Sequence, residues 1–94
     1  MAIGLLTLHL NIPACDSLKD KRRQIKPLIS RLQREFNISV AELDYQDKWS
    51  ETLIGCTYLS NDGKHTQRSL QKVITWVENH YPQFYIIQEN IELF

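Results

Sequence analysis

Seven basic side chains crowd one stretch of this 94-residue chain: Lys19, Lys21, Arg22, Arg23, Lys26, Arg31 and Arg34, against Asp20 alone between Ser17 and Arg34. Ammonium and guanidinium groups gathered in this way hold phosphates or carboxylates through charge-assisted hydrogen bonds. Lys19, Lys21, Arg22 and Arg23 fall where the pattern begins a helix. The macrodipole is already positive there, and each added cation costs about 0.3–1 kcal/mol at low salt. A local preference broken four times points to an anion site, with free backbone N–H groups beyond Ser17 and the cations around them. The competing reading is internal: acidic residues such as Asp47 or Glu42 pair with these cations, or the face is simply solvated. Further on, Lys64, Arg68 and Lys72 recur at i, i+4 and i+8 on the exposed side of a second helical pattern.

Other chemistry is thinly supported. His9, His65 and His80 have no second ligand or nucleophile at a telling spacing, and the chain holds no dinucleotide, phosphate-loop, zinc-protease or nucleophile-elbow motif. No catalytic residue, metal site or cofactor is therefore expected. Cys15, just ahead of the basic helix start, stands where a thiol pKa is expected to fall. Cys15 and Cys56 are far apart and outside any metal-ligand pattern, so both are expected as reduced thiols in a cytoplasmic protein.

The elements that must position these residues follow from periodicity. Residues 2–12 alternate about Leu6, Leu8, Leu10 and Ile12, a strand whose second face, with Ile3 and Leu5, is also partly apolar. Ser17 caps a helix running to about Phe36 along Leu18, Ile25, Leu28, Ile29 and Leu32, with Asn37 suited to a left-handed end and Pro27 on the outer side. Two β-rich runs, 38–45 and 52–59, flank the polar connection 46–51 as a hairpin. After Ser60–Gly63 a second helix carries Thr66, Leu70, Val73, Ile74, Val77 and Tyr81 on one face and stops at Pro82. Residues 84–94 read as a last strand, with Tyr85, Ile87, Ile91 and Leu93 on one side.

The order β-α-β-β-α-β, with right-handed crossovers, predicts an α+β, ferredoxin-like domain spanning residues 1–94: a four-stranded antiparallel sheet with both helices on one face. That topology brings Ser17–Arg23 to the same end of the sheet as Tyr45–Trp49. It leaves the other sheet face open and partly apolar, which points to a homo-oligomer. With Tyr58 the one aromatic of the central strands, that face is a poor platform for stacking RNA bases. Trp76 lies off the second helix's stripe and is read as capping the core.

Composition narrows the class. With 43% hydrophobic and 23% charged residues and three each of Gly and Pro, the chain is neither disordered nor low-complexity. Eleven basic residues balance eleven acidic ones, which argues against a uniformly basic nucleic-acid module. No run is long and apolar enough for a membrane span, and the N-terminal stretch lacks the basic and cleavage regions of a secretion signal, so no membrane partner is expected.

Four ordered segments, Ser17–Arg23, Phe36–Glu42, Gln46–Trp49 and Ser60–Asp62, resemble the YlxP family of small bacterial proteins. The resemblance runs over essentially the whole chain and implies a ferredoxin-like domain. It also implies a connection to RNA or the ribosome, through the company this family keeps with transcription and translation factors. By position, the family's helix-start motif falls on Ser17, Leu18, Lys19, Lys21 and Arg22, and its loop motif on Gln46, Asp47 and Trp49, with Tyr45 where many relatives have His. Two accounts of these residues stand: a binding site, or an Arg22 or Lys21 pair with Asp47 that pins the loop while Trp49 buries its ring.

Three functional expectations follow. The first is a non-catalytic protein that presents Ser17, Lys19, Lys21, Arg22, Arg23, Lys26, Lys64 and Arg68, with Gln46, Asp47 and Trp49 beside them, to structured RNA or the ribosome. The second is a homodimeric interaction module with no nucleic-acid role. The third is an enzyme acting on a small anionic substrate.

Overall fold

The computed structural model describes all of residues 1–94. The elements run β1 (Ala2–Asn11), α1 (Leu18–Glu35), β2 (Ser39–Asp44), β3 (Glu51–Ser60), α2 (Gly63–His80) and β4 (Tyr85–Leu93). The sheet order is β2-β3-β1-β4 and every neighbouring pair is antiparallel, which is the ferredoxin-like α+β arrangement. β1 and β3 pair over their full lengths, from Ala2 opposite Ser60 to Asn11 opposite Glu51.

Period-two alternation in β1 decides which face is covered. Leu6, Leu8, Leu10 and Ile12 are wholly buried, and the core they start is completed by Ile25, Leu28 and Leu32 of α1 and Leu70, Val73, Ile74 and Val77 of α2. Each such side chain removed from water contributes about 1.5–3 kcal/mol before the entropy of ordering is set against it. Pro27 is exposed on the outer side of α1, where its ring meets no neighbour helix. Trp76 packs between the helices, edge-on to Phe36 at 6.1 Å and beneath the Arg31 guanidinium at 4.9 Å, a structural role.

Two local expectations are corrected. Asn37 does not take a left-handed conformation; α1 ends on an extended Phe36 (φ −129°, ψ 150°) whose N–H donates to the Leu32 carbonyl. The chain must enter β2 at once with Phe36 and Ile38 packed against the core, so an extended exit wins over a left-handed cap. In β4 a bulge shifts the register between His9 and Leu10, leaving Ile87 without a partner. Ile86 and Ile91 therefore lie opposite the buried Leu10 and Leu6, while Tyr85 lies opposite Asn11 on the open face. Tyr85, Ile87, Ile91 and Leu93 do not share one side, because an inserted residue reverses the alternation beyond it.

Candidate functional site

The end of the sheet where β1 leads into α1 and β2 turns into β3 concentrates the unusual geometry. Ala14 (φ 57°) and Tyr45 (φ 64°) are the two non-glycine residues with positive φ, and they belong to these two connections. Left-handed backbone at residues with a Cβ persists only when its surroundings hold it. The Tyr45 carbonyl accepts from the Lys48 N–H at 3.0 Å and from the Lys21 ammonium, and the Tyr45 N–H donates to Asp44 Oδ1 at 2.7 Å. Its ring stacks on His9 at 4.8 Å, and His9 Nε2 lies 2.9 Å from Glu51 Oε1. At the far side of the turn, the Ser50 carbonyl accepts from Ile12 N–H at 2.7 Å and from Asn11 Nδ2 at 3.2 Å.

Lys21 sits at the centre of this end, and it is 1% exposed. It occupies the inward stripe of α1 with Ile25, Leu28 and Leu32, so its stem packs as an aliphatic chain while its ammonium reaches the sheet edge. There it meets Glu42 Oε2 at 2.9 Å as well as the Tyr45 carbonyl, and Thr52 Oγ1 donates to the same Glu42 oxygen at 2.6 Å. Lys21 therefore leaves the set of cations free for an external anion: burial and two internal acceptors account for it. The internal reading was right for this residue, with Glu42 and not Asp47 as its partner. Glu42 and Thr52 carry this signal in the sequence too, as polar residues in the core-facing series of their strands.

The other helix-start cations behave differently. Lys19, Arg22, Arg23 and Lys26 are exposed, as are Lys64 and Arg68 on α2, and none of them makes an ion pair. Ser17 Oγ accepts the Asp20 N–H at 3.0 Å, and Asp20 Oδ2 accepts the Asp16 N–H at 3.4 Å, so the α1 N-terminus already carries a carboxylate of its own. The anion-holding capacity of this end thus resides in the side chains, with one of the helix's free N–H groups taken by the cap.

Asp47 and Trp49 do not pin the turn. Asp47 makes no ion pair, and Trp49 is 51% exposed with no aromatic partner. The turn is held instead by Lys21, by the His9–Tyr45 stack and by Lys48, whose ammonium lies 3.6 Å from Glu51 and over the Tyr45 ring. The strained Tyr45 and its stack on His9 had no signal in periodicity, since a stack across 36 positions is a product of register. His65 bonds Tyr58 at 3.0 Å and His80 bonds the Trp76 carbonyl at 2.9 Å, so each histidine has a structural partner.

The cysteines are free thiols. The Cys15 pKa is raised, first by burial and then by the Asp20 charge, which corrects the expectation that the helix start would lower it. Cys56, wholly inside the core, is pushed up to about 12 by burial.

Residues 3–91 match the family described as "Protein of unknown function (DUF503)". The chain belongs to that family. It is also similar to "Uncharacterized protein YlxP" of Bacillus subtilis (strain 168), 34% identical over 77 residues that make up 82% of this chain and 84% of that protein. The DUF503 span contains both connections of this end, the buried Lys21 with its Glu42 partner, and all of the exposed cations named above. No helix of the fold is long and apolar enough to cross a membrane.

Proposed function

We propose that this DUF503 chain is a non-catalytic binding protein whose basic helical layer takes the phosphates of structured RNA, the ribosome included. One observation carries the reading. Ten of the eleven basic residues lie on α1 and α2, which hold three of the eleven acidic ones, and Lys21 alone among the ten is in an ion pair. The zero net charge is thus the sum of a basic layer and an acidic remainder. Uncompensated cations on one face attract a polyanion whose counterions are released on contact.

The test is binding to ribosomal particles and to structured RNA as a function of salt. Affinity is expected to fall steeply with salt, and the double variant Lys19→Glu, Arg23→Glu to lower both the affinity and the steepness, by roughly one unit of log–log slope per lost phosphate contact. Both positions are exposed, so the variant's melting temperature should stay close to that of the parent. Undetectable or salt-insensitive binding overturns the reading.

A second reading draws on the open sheet face. The large apolar side chains left exposed, among them Ile3, Leu43, Leu59, Tyr85 and Ile87, all lie outside the helices. A second copy packed on that face would bury them, giving a homodimer, and a strictly monomeric mass at tens of micromolar chain overturns this.

A further inference from the structure

The β2–β3 turn combines a backbone anchored at both ends with three side chains that pair with nothing else in the protein. Tyr45 and Ser50, at its two ends, are tied by the hydrogen bonds and the stack described above. Between them Gln46, Asp47 and Trp49 are exposed, and none of the three side chains takes part in a hydrogen bond, ion pair or ring contact within the protein. Burying Lys21 at the root of a turn and forcing Tyr45 to positive φ are costly arrangements if the product is an idle loop. They make sense if the loop must present its side chains in one geometry.

The chemistry of those side chains selects the ligand. An exposed indole without a ring partner is a stacking platform for a flat base. In the same turn a free carboxylate accepts from adjacent N–H groups, as the Watson–Crick edge of guanine offers, and a free carboxamide both donates and accepts. Lys19, Arg22 and Arg23 are exposed cations on the α1 start, which Lys21 ties to this turn, and a phosphate flanking the base calls for charge of that sign. We infer that the β2–β3 turn binds one unpaired guanine base of RNA, with Trp49 stacking on it, Asp47 accepting from its N–H edge, and the α1 cations holding its flanking phosphates. The inference rests on the RNA reading of the basic layer and names the nucleotide that this layer would orient.

The experiment uses a Trp76→Phe chain, in which Trp49 is the one remaining tryptophan, folding being checked by circular dichroism. Short single-stranded oligoribonucleotides with a central guanine or adenine, and guanosine monophosphate alone, are titrated while Trp49 emission is followed. Labelled-strand anisotropy on the native chain reports affinity independently of that background. Expected are quenching of Trp49 by the guanine strand, roughly tenfold weaker binding for Trp49→Ala with most of it kept in Trp49→Phe, and loss of the guanine preference in Asp47→Asn. Salt-dependent RNA binding that Trp49→Ala leaves unchanged overturns this inference and leaves the basic-layer reading standing. Absence of any RNA binding overturns both. Guanosine monophosphate binding as tightly as the strand assigns the base site to a free nucleotide and overturns RNA as its source. A protein partner lost from Trp49→Ala, with RNA binding intact, assigns the turn to a protein surface and overturns it as well.

Discussion

The two β-α-β halves of this fold solve the same problem in opposite ways. Each has an 18-residue helix with a side-chain N-cap, Ser17 for α1 and Asp62 for α2, and each buries the fourth helical residue against the sheet. In the second half that residue is Thr66, whose hydroxyl lies 2.7 Å from Ser60 Oγ a few positions upstream. In the first half it is Lys21, whose ammonium is satisfied by Glu42 and the Tyr45 carbonyl, more than twenty positions downstream. A short hydroxyl closes its hydrogen bond locally and asks nothing of the rest of the fold. A buried ammonium demands a counter-charge and so couples α1 to β2 and to the turn beyond it. The half with the long-range solution carries the densest positive charge, and the two left-handed residues and the exposed Trp49 lie in its connections, Ala14 between β1 and α1, Tyr45 and Trp49 in the turn that leads out of β2.

The largest expected effect strikes the long-range pair of the first half. Glu42→Ala leaves the Lys21 ammonium buried without its counter-charge, and equilibrium unfolding should show a loss of about 3–5 kcal/mol. Glu42→Gln, which keeps an acceptor, should lose less. Replacing both partners with apolar groups, Lys21→Met with Glu42→Leu, is expected to recover part of that stability, the remainder being the cost of leaving the buried Thr52 hydroxyl without its Glu42 acceptor. A double variant no more stable than Glu42→Ala would show that the pair is valued for stability and not for holding the turn.

Next comes the floor beneath α2, which β1 of the first half provides. A methyl group on Gly4 would stand 2.5 Å from Thr66 Cγ2 and 2.6 Å from Leu70 Cδ1, so Gly4→Ala should cost about 1–3 kcal/mol in the same measurement. Thr66→Ala, which removes a locally closed hydrogen bond, should cost about 1 kcal/mol. A loss as large as that of Glu42→Ala would abolish the contrast between the halves.

The smallest effect is on the thiols. Burial favours the neutral Cys56 thiol, so the unfolded chain releases its proton first as pH rises from the ordinary value near 9 towards about 12. Stability is unaffected at neutral pH and declines through that window, and Cys56→Ala should flatten the decline in pH-dependent unfolding. At neutral pH a thiol reagent should modify Cys15 slowly and Cys56 only on unfolding; rapid labelling of Cys15 would contradict its raised pKa.

Much of this was legible in the residues. The even series of β1, the caps Ser17 and Asp62 and the stop at Pro82 follow from side-chain periods and backbone preferences, which act over a few positions. Ile87 marks where that legibility failed, since a bulge is a negotiation between two strands and alternation in one strand cannot announce it. At the candidate site, the meeting of the α1 start with the β2–β3 turn followed from connection order and handedness. Helical spacing puts both Lys21 and Arg22 at the border of the apolar stripe, and position on a helical wheel does not say which long side chain is drawn in; only Lys21 is buried.

The sequence by itself determined the element order, the core stripes, the sheet topology and the excess of positive charge on α1, because each depends on local periodicity or on chain connectivity. Only the tertiary structure decided which cation is buried, that Glu42 and not Asp47 receives it, that Tyr45 is held left-handed against His9, and that Trp49 stays exposed. Those outcomes depend on distances between groups far apart along the chain, and a long-range ion pair or stack exists only once register and packing have set those distances.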